Sequence, residues 1–507
     1  MWNRVKPASW YFFVFLIALT ISSGATKTLF YPPQSVHQWR QADCAAQFRN
    51  FYQNGGPVWK PQTYNYAGKN GYVASEFPIL YWLAAQPCKV FGFQEAWLRG
   101  LDLLLFYIGL WCLFLLGRRL IGNDWLALLP PVLLGTSPYA FYYADNFLPN
   151  MPAISMCLIG WFYFFRYAGQ KRLLDLYWAG AWMTLAALIK VSEGISLVAL
   201  GALFVLEWLG LPYYEDGKHP RRHLLHKAAV LITGAALVTG WNLYAIHYNQ
   251  VNGNGQNLLG FNPFWIMNRQ AVIDTFSRMV YGWGPDFHHP LLMGLFLLAV
   301  PGIWWRWRQW KPVLTALSAL TLAGVVIASA FWFNAYYHHD YYMLTLLIFP
   351  VFLYLMILEG WKRELDWSRP WVRNLVVGLL TVVTVLGLRH NHNRQHYRYN
   401  DPVFKYVNGA LYTIEPYLRS IGIDRHDPVV STPDGSPNIT LYLMNNPGWT
   451  DAFTTEQYNI NYFREAGAKY LIVHDSSAFQ NPWYQPYLHD PIGTYQGVLI
   501  YNIAKQE

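Results

Sequence analysis

The first residues equipped for chemistry are His37-Gln38-Trp39-Arg40-Gln41-Ala42-Asp43, placed just after the apolar run Trp10 to Leu29. That run is long enough to cross a bilayer. A carboxylate at its far end can act on a substrate with a polar head and a tail in lipid. Polar groups recur beside later apolar runs: Glu76, Asp145, Lys190, Glu193, His338, His339 and Asp340. Ionisable groups at membrane level are costly and so point to function. Taken singly, each also fits an interfacial side chain that faces water or pairs with a neighbour. What matters is whether the elements carrying them bring them to one face.

Those elements are mostly apolar helices. The chain has 507 residues, 54% hydrophobic and only 13% charged, where soluble domains carry about 25% charged residues. Eleven spans fit the runs near 10–29, 97–117, 124–143, 150–167, 174–190, 191–208, 228–246, 290–305, 312–333, 341–358 and 372–388. Basic residues cluster in short connections: Arg118-Arg119, Lys171-Arg172, Arg221-Arg222, Arg306 to Lys311 and Lys362-Arg363. With Arg4 and Lys6 inside, this count puts every cluster on the cytoplasmic side. The net charge of +9 is thus a topology signal and argues against nucleic acid. The loops near Asp145 and Tyr336 to Asp340 then lie opposite, on the external face, with Asp43.

Two external loops are long, 30–96 and 247–289. The first holds Pro78 to Phe91, too short to span and suited to a helix lying along the interface. Residues 1–388 read as the membrane domain. Residues 389–507 turn polar and read as a small external α/β domain, with strands at Tyr470 to His474 and Gly497 to Tyr501 and helices at Phe404 to Ile421 and Thr455 to Ala466. Cys44 and Cys88 share the first loop and are placed to pair if their distance allows. Cys112 and Cys157 fall inside apolar runs. Asp434, within Ser431-Thr432-Pro433-Asp434-Gly435-Ser436-Pro437, reads first as an Asx turn and second as a ligand contact. Asn438-Ile439-Thr440 is a glycosylation sequon only in a secretory compartment.

In order and spacing, these segments resemble the GT-C superfamily of membrane glycosyltransferases, within it the protein-mannosyltransferase-like group that includes aminoarabinose transferases. Gln41-Ala42-Asp43 is similar to the family's acidic residue early in an interfacial helix. Ser75-Glu76-Phe77-Pro78-Ile79-Leu80-Tyr81-Trp82 resembles its Glu-Lys-Pro-Pro-Leu-Tyr-Tyr-Trp segment. Arg99, Leu101 and Gly117-Arg118-Arg119-Leu120 resemble its second span. Leu188-Ile189-Lys190-Val191-Ser192-Glu193-Gly194 resembles Leu-Thr-Lys-Gly-Pro, and His338-His339-Asp340-Tyr341-Tyr342 its His-containing Tyr-Tyr motif. Two positions depart from the pattern. Asn150 stands where the family carries Asp, with Asp145 five residues upstream. Phe77 stands where aminoarabinose transferases carry Lys.

The resemblance implies an α-helical polytopic GT-C fold and a sugar donor carried on polyprenyl phosphate. It implies hexosyl or pentosyl transfer to an envelope glycan, lipid or protein, in a bacterial inner membrane with the N-terminus cytoplasmic. Asp43 is then the general base, with Asp145 and Glu76 as further catalytic carboxylates. Lys190, His338 and His339, with Arg99 and Arg40 behind them, would hold the phosphate. Asp340 would orient an imidazole. A divalent metal on Asp43, Asp145 or Glu76 with His is another way to neutralise phosphate. No compact ligand motif marks one, and His288-His289 reads first as ordinary loop chemistry. Two other classes fit many spans with scattered charges: a flippase for a lipid-linked glycan and a non-catalytic envelope-binding protein. A flippase would show internal repeats and midplane charges, and neither is evident in the sequence.

Overall fold

The computed structural model describes residues 7–210, 223–254, 260–261, 263–295, 297, 310–452 and 454–505. Arg4, Lys6, Arg221-Arg222, Arg306, Arg308 and the run 298–305 lie outside the described residues. The chain divides into two compact units. One, the helical unit, comprises Met1–Thr28, Gly100–Trp241 and Gly260–His396; the other, the mixed unit, comprises Leu29–Arg99, Asn242–Leu259 and Tyr397–Glu507.

Among the described residues, six helices are long and apolar enough to cross a membrane: Ala96–Ile121, Val191–Trp208, Leu224–Val251, Pro312–Trp332, Asp340–Glu364 and Pro370–Asn400. Shorter apolar helices cover Pro7–Ser23, Leu126–Thr136 and Leu173–Ile189. Several expected spans are interrupted for local reasons. The first turns at Gly24, whose φ of 82° suits glycine. The run 124–143 breaks at Ser137, where Pro138 holds the preceding residue extended. Ser137 then caps the next helix, Pro138–Ala144, by accepting from the Ala140 N–H at 3.3 Å. The helices Asn150–Gln170 and Leu173–Ile189 pack closely. A Cβ at Gly160 would come within 2.7 Å of Met183 Cγ, so glycine there sets the approach.

In the mixed unit, β1 (Val429–Thr432), β2 (Gly448–Thr450), β3 (Tyr470–Val473), β4 (Gly493–Tyr495) and β5 (Val498–Asn502) form one sheet in the order β2-β1-β3-β5-β4. β1 runs parallel to β2 and β3, while β5 is antiparallel to β3 and β4. Short helices Ile439–Met444 and Ile460–Glu465 make the crossovers that parallel strands require. β1 is buried along its whole length, as expected of a parallel strand covered on both faces. Trp449 stacks on Phe463 at 5.4 Å, within a core that includes Val430, Leu471 and Tyr501.

The strands expected at Tyr470 and near Val498 are present. The single helix expected over Phe404 to Ile421 is instead two 3-10 turns, Pro402–Phe404 and Gly409–Tyr412, and a helix Glu415–Ser420. Asn408 closes a local turn on Ala410, and Pro416 permits a helix only from its first turn onward. The expected helix 455–466 shortens to Ile460–Glu465, capped by Asn459. The interfacial segment is a helix, Ile79–Phe91, burying Leu80, Tyr81, Ala84, Ala85 and Cys88 on one side. Cys44 and Cys88 are not paired; both are free and buried, and Cys44 Sγ accepts from the Tyr81 hydroxyl at 3.1 Å.

Candidate active site

The helix Gln38–Gln53 carries Asp43. Its start is fixed by amides: Gln38 Nε2 donates to Pro33 O at 2.9 Å and to the Tyr412 hydroxyl at 2.8 Å, and Gln41 Nε2 donates to Gln34 O and Val36 O. Further along, Arg49 pairs with Glu415 at 2.9 Å and lies over the rings of Phe93 and Tyr442. With both ends held, Arg40, Asp43 and Gln47 project from one face at three- and four-residue spacing. They line a cleft with Thr63, Asn65 and Asn438.

Asp43 Oδ1 accepts from Asn438 Nδ2 at 2.8 Å, and Oδ2 lies 3.8 Å from the Arg40 guanidinium. Arg40 is also bonded directly to Glu76, whose other oxygen accepts from Ser75 Oγ. Burial pushes the Asp43 carboxyl up to about 6; Arg40 and Asn438 pull it back down, and Glu76 and Asp434 add to the rise. Such a carboxylate is ionised at neutral pH yet basic enough to take a proton. Arg99 is fully buried in the same unit, 3.5 Å from the Tyr399 hydroxyl.

Asn438 escaped the sequence reading as a site residue. It stands at the N-cap of Ile439–Met444 but does not cap it. Asp434 does so instead, accepting from Thr440 N and Thr440 Oγ1 while its other oxygen closes an Asx turn on Ser436. Asn438 is thereby free to accept from Tyr64 N and Asn65 N, at 3.1 and 3.0 Å, and to donate to Asp43. The only advance signal was an N-cap-type residue beside a second one four positions earlier.

The helical unit holds the remaining candidates. The helix Leu173–Ile189 ends at Lys190, whose backbone is extended before the 3-10 turn Val191–Glu193. That break places the Lys190 ammonium 4.6 Å over the Tyr342 ring and 5.8 Å from the Tyr341 ring. Lys190 is only 8% exposed, and Glu193 lies close enough to feel its charge. Glu193 accepts from Ser192 and Thr345 hydroxyls. His339 stacks against Tyr341 at 5.3 Å, and His338 is exposed beside it. Asp340 is buried and accepts from the Tyr143 hydroxyl.

Asp145 is buried and accepts from Thr28 Oγ1. Asn150 donates its amide to Tyr341 O at 3.1 Å, a bond an ionised carboxylate could not make. Asp145 and Asn150 thus serve different partners. His288 Nε2 lies 2.9 Å from Leu133 O, and the His289 ring faces His390. Among the described residues, no three His, Cys, Asp or Glu side chains are grouped to hold a metal ion.

Residues 75–214 match the dolichyl-phosphate-mannose-protein mannosyltransferase family. The fold is similar to ArnT from Cupriavidus metallidurans, with a TM-score of 0.61 and 12% identity over 99% of this chain and 100% of that one. The same similarity holds for ArnT bound to undecaprenyl phosphate. Arabinofuranosyltransferase AftD from Mycobacteria aligns with a TM-score of 0.52 and 14% identity over 97% of this chain and 40% of its own. The Archaeoglobus fulgidus oligosaccharyltransferase aligns with a TM-score of 0.52 and 11% identity over 90% of this chain and 69% of its own. No curated protein sequence matches.

Proposed function

On the premise that the chain has the GT-C fold, we propose that it is an integral-membrane glycosyltransferase moving a sugar from polyprenyl phosphate to a cell-envelope acceptor. The observation that carries this reading is the partly buried Asp43 carboxylate, held by Asn438 with a raised pKa at the wall of a polar cleft. In the reaction the acceptor hydroxyl gives its proton to Asp43 as its oxygen bonds to the anomeric carbon. The bond from that carbon to the phosphate oxygen breaks, and polyprenyl phosphate leaves as an anion. Glu76 acts through Arg40, to which it is bonded.

The leaving anion needs compensating charge. Lys190 is assigned to it, with His339 against the same tyrosines and His338 against Tyr337 and His339. Asp145, bonded to Thr28, is assigned to positioning. Chemistry on the external face of the membrane is supported by how the helices end. Asn150–Gln170 starts beyond Asp145 and ends at Lys171-Arg172; Ile348–Glu364 follows Asp340 and has Lys362 and Arg363 in its last turn. Candidate site residues and basic pairs thus mark opposite ends of the same helices.

The test is reconstitution of the full chain in liposomes with radiolabelled polyprenyl-phosphate sugars and crude envelope acceptor. Wild type transfers label, and Asp43→Asn loses about 10²–10⁴-fold of the rate while remaining folded. Wild-type turnover by Asp43→Asn would remove Asp43 from the mechanism. Movement of intact lipid without transfer would replace the enzyme by a flippase.

A further inference from the structure

We propose that the cleft beside Asp43 is the acceptor subsite, that it takes a neutral polyhydroxylated glycan, and that Gln47 determines this specificity. The inference rests on Asp43 being the base of a transferase and goes beyond it by naming the acceptor's chemistry. The cleft is narrow: its free space of about 20 Å³ takes the hydroxyl edge of one sugar rather than a whole ring.

Its walls are mostly amides and hydroxyls: Gln47, Thr63, Asn65, Ser75, Asn254 and Asn438. Among the described residues Arg40 is its one cation, and that guanidinium already serves Glu76 and Asp43. Two carboxylates against one guanidinium leave the region negative, which disfavours a phosphate as the attacking group. Uncharged hydroxyls carry no such penalty.

Gln47 supplies the positive recognition. It stands one helical turn after Asp43, is 3% exposed, and its Oε1 is buried with no hydrogen-bond partner. Its neighbours differ. Asn65 donates to Pro437 O at 2.9 Å and accepts from Ala67 N at 2.8 Å, and Asn438 is committed on both sides. A buried carbonyl without a donor is unfavourable and favours a ligand that brings one. A sugar can place one hydroxyl on Gln47 Oε1 and an adjacent one on Asp43. The hydroxyl on Asp43 reacts and the one on Gln47 only orients. A serine or threonine side chain offers a single hydroxyl, and a phosphate dianion offers none.

Binding can be read without turnover. The full-length chain in nanodiscs is titrated with methyl glycosides of glucose, galactose, mannose and arabinose by saturation-transfer NMR. Glucose 1-phosphate and a serine-threonine peptide are the competitors. At least one glycoside should bind, and Gln47→Leu should weaken it about fivefold. The leucine removes an unpaired buried acceptor and so should not impair folding; Gln47→Glu, which keeps the acceptor oxygens and adds charge, should retain glycoside binding. Equal affinity in wild type and Gln47→Leu, binding by no glycoside, or displacement by the phosphate or the peptide would overturn the proposal. Failure of the base reading appears elsewhere, as wild-type transfer by Asp43→Asn.

Discussion

At the scale of single residues, the decisive contact is Asn438 Nδ2 to Asp43 Oδ1. A donor on the ionised carboxyl lowers its pKa against the rise caused by burial. If Asp43 is the base, the rate should follow its ionised fraction, with half-maximal kcat/KM near pH 6 and about a tenfold fall per unit below. Asn438→Asp keeps an oxygen for Tyr64 N and Asn65 N but loses the donor and adds a like charge. The acid limb should then move above that of wild type, with Arg40, Glu76 and Asp434 unchanged around it. A folded Asn438→Asp protein with an unmoved limb would make Asn438 merely structural. The stability sign runs the other way. The folded-state pKa of Asp43 lies above its ordinary 3.8, so the folded chain binds this proton more tightly and gains stability as pH falls from about 6 towards 4. Asp43 was legible in the sequence because a carboxylate after an apolar run is unusual. Asn438 was not, because it lies 395 residues away and nothing local marks its partner. Gln47 was equally hidden: an amide on an amphipathic helix becomes informative only once its burial and lack of a partner are seen.

At the scale of elements, hydropathy located the helices well and their interruptions poorly. Leu173–Ile189 matches the run expected at 174–190 nearly to the residue, since both ends carry cations that leave the apolar stretch. The run 341–358 instead begins as a 3-10 stretch, Asp340–Leu347, with Asp340 and Thr345 bonded to side chains of neighbouring elements. Tertiary partners of that kind leave no trace in periodicity. The break at Lys190 has the clearest functional consequence. Lys190 leaves the helix, so its ammonium lies across two tyrosine faces, with Glu193 near enough to act on it through space but not in salt-bridge contact. A cation so placed is suited to an anion arriving from outside the protein. Lys190→Ala should weaken undecaprenyl phosphate binding about 10- to 100-fold, the worth of one hydrogen bond to a charged group. His339→Ala should do so less, because its ring also stacks on Tyr341. Native mass spectrometry or thermophoresis with undecaprenyl phosphate reads both, and unchanged affinity in Lys190→Ala would leave that lysine a packing residue.

At the scale of the whole molecule, the mixed unit is made of three stretches distant in sequence, and the Asp43 cleft draws on all of them through Asp43, Asn254 and Asn438. A sequence-based boundary at 389 separates what the fold joins, because hydropathy reports lipid and water but not which polar segments pack together. The join runs through the edge of the sheet. Gly448 N donates to Tyr64 O at 3.0 Å, Tyr66 N donates to Gly448 O at 2.7 Å, and Asn65 pairs with Gly448 in parallel. The first loop thereby covers the edge strand β2, which also protects that edge from other chains. Gly448 has a φ of 148°, and a Cβ there would fall 1.8 Å from Val429 O. Backbone must therefore move if any side chain is added. Gly448→Ala should cost about 2–4 kcal/mol of stability, since it combines a strained φ with a backbone clash. The damage should reach the cleft, because the loop residues freed from β2 are those whose N–H groups hold Asn438. Thermal unfolding in detergent should show the lower midpoint, and limited proteolysis should open cuts between residues 55 and 75. Transfer should fall together with them, although Gly448 touches no candidate catalytic group. A Gly448→Ala protein that melts and transfers like wild type would mean that the loop and the sheet do not act as one body in building the site.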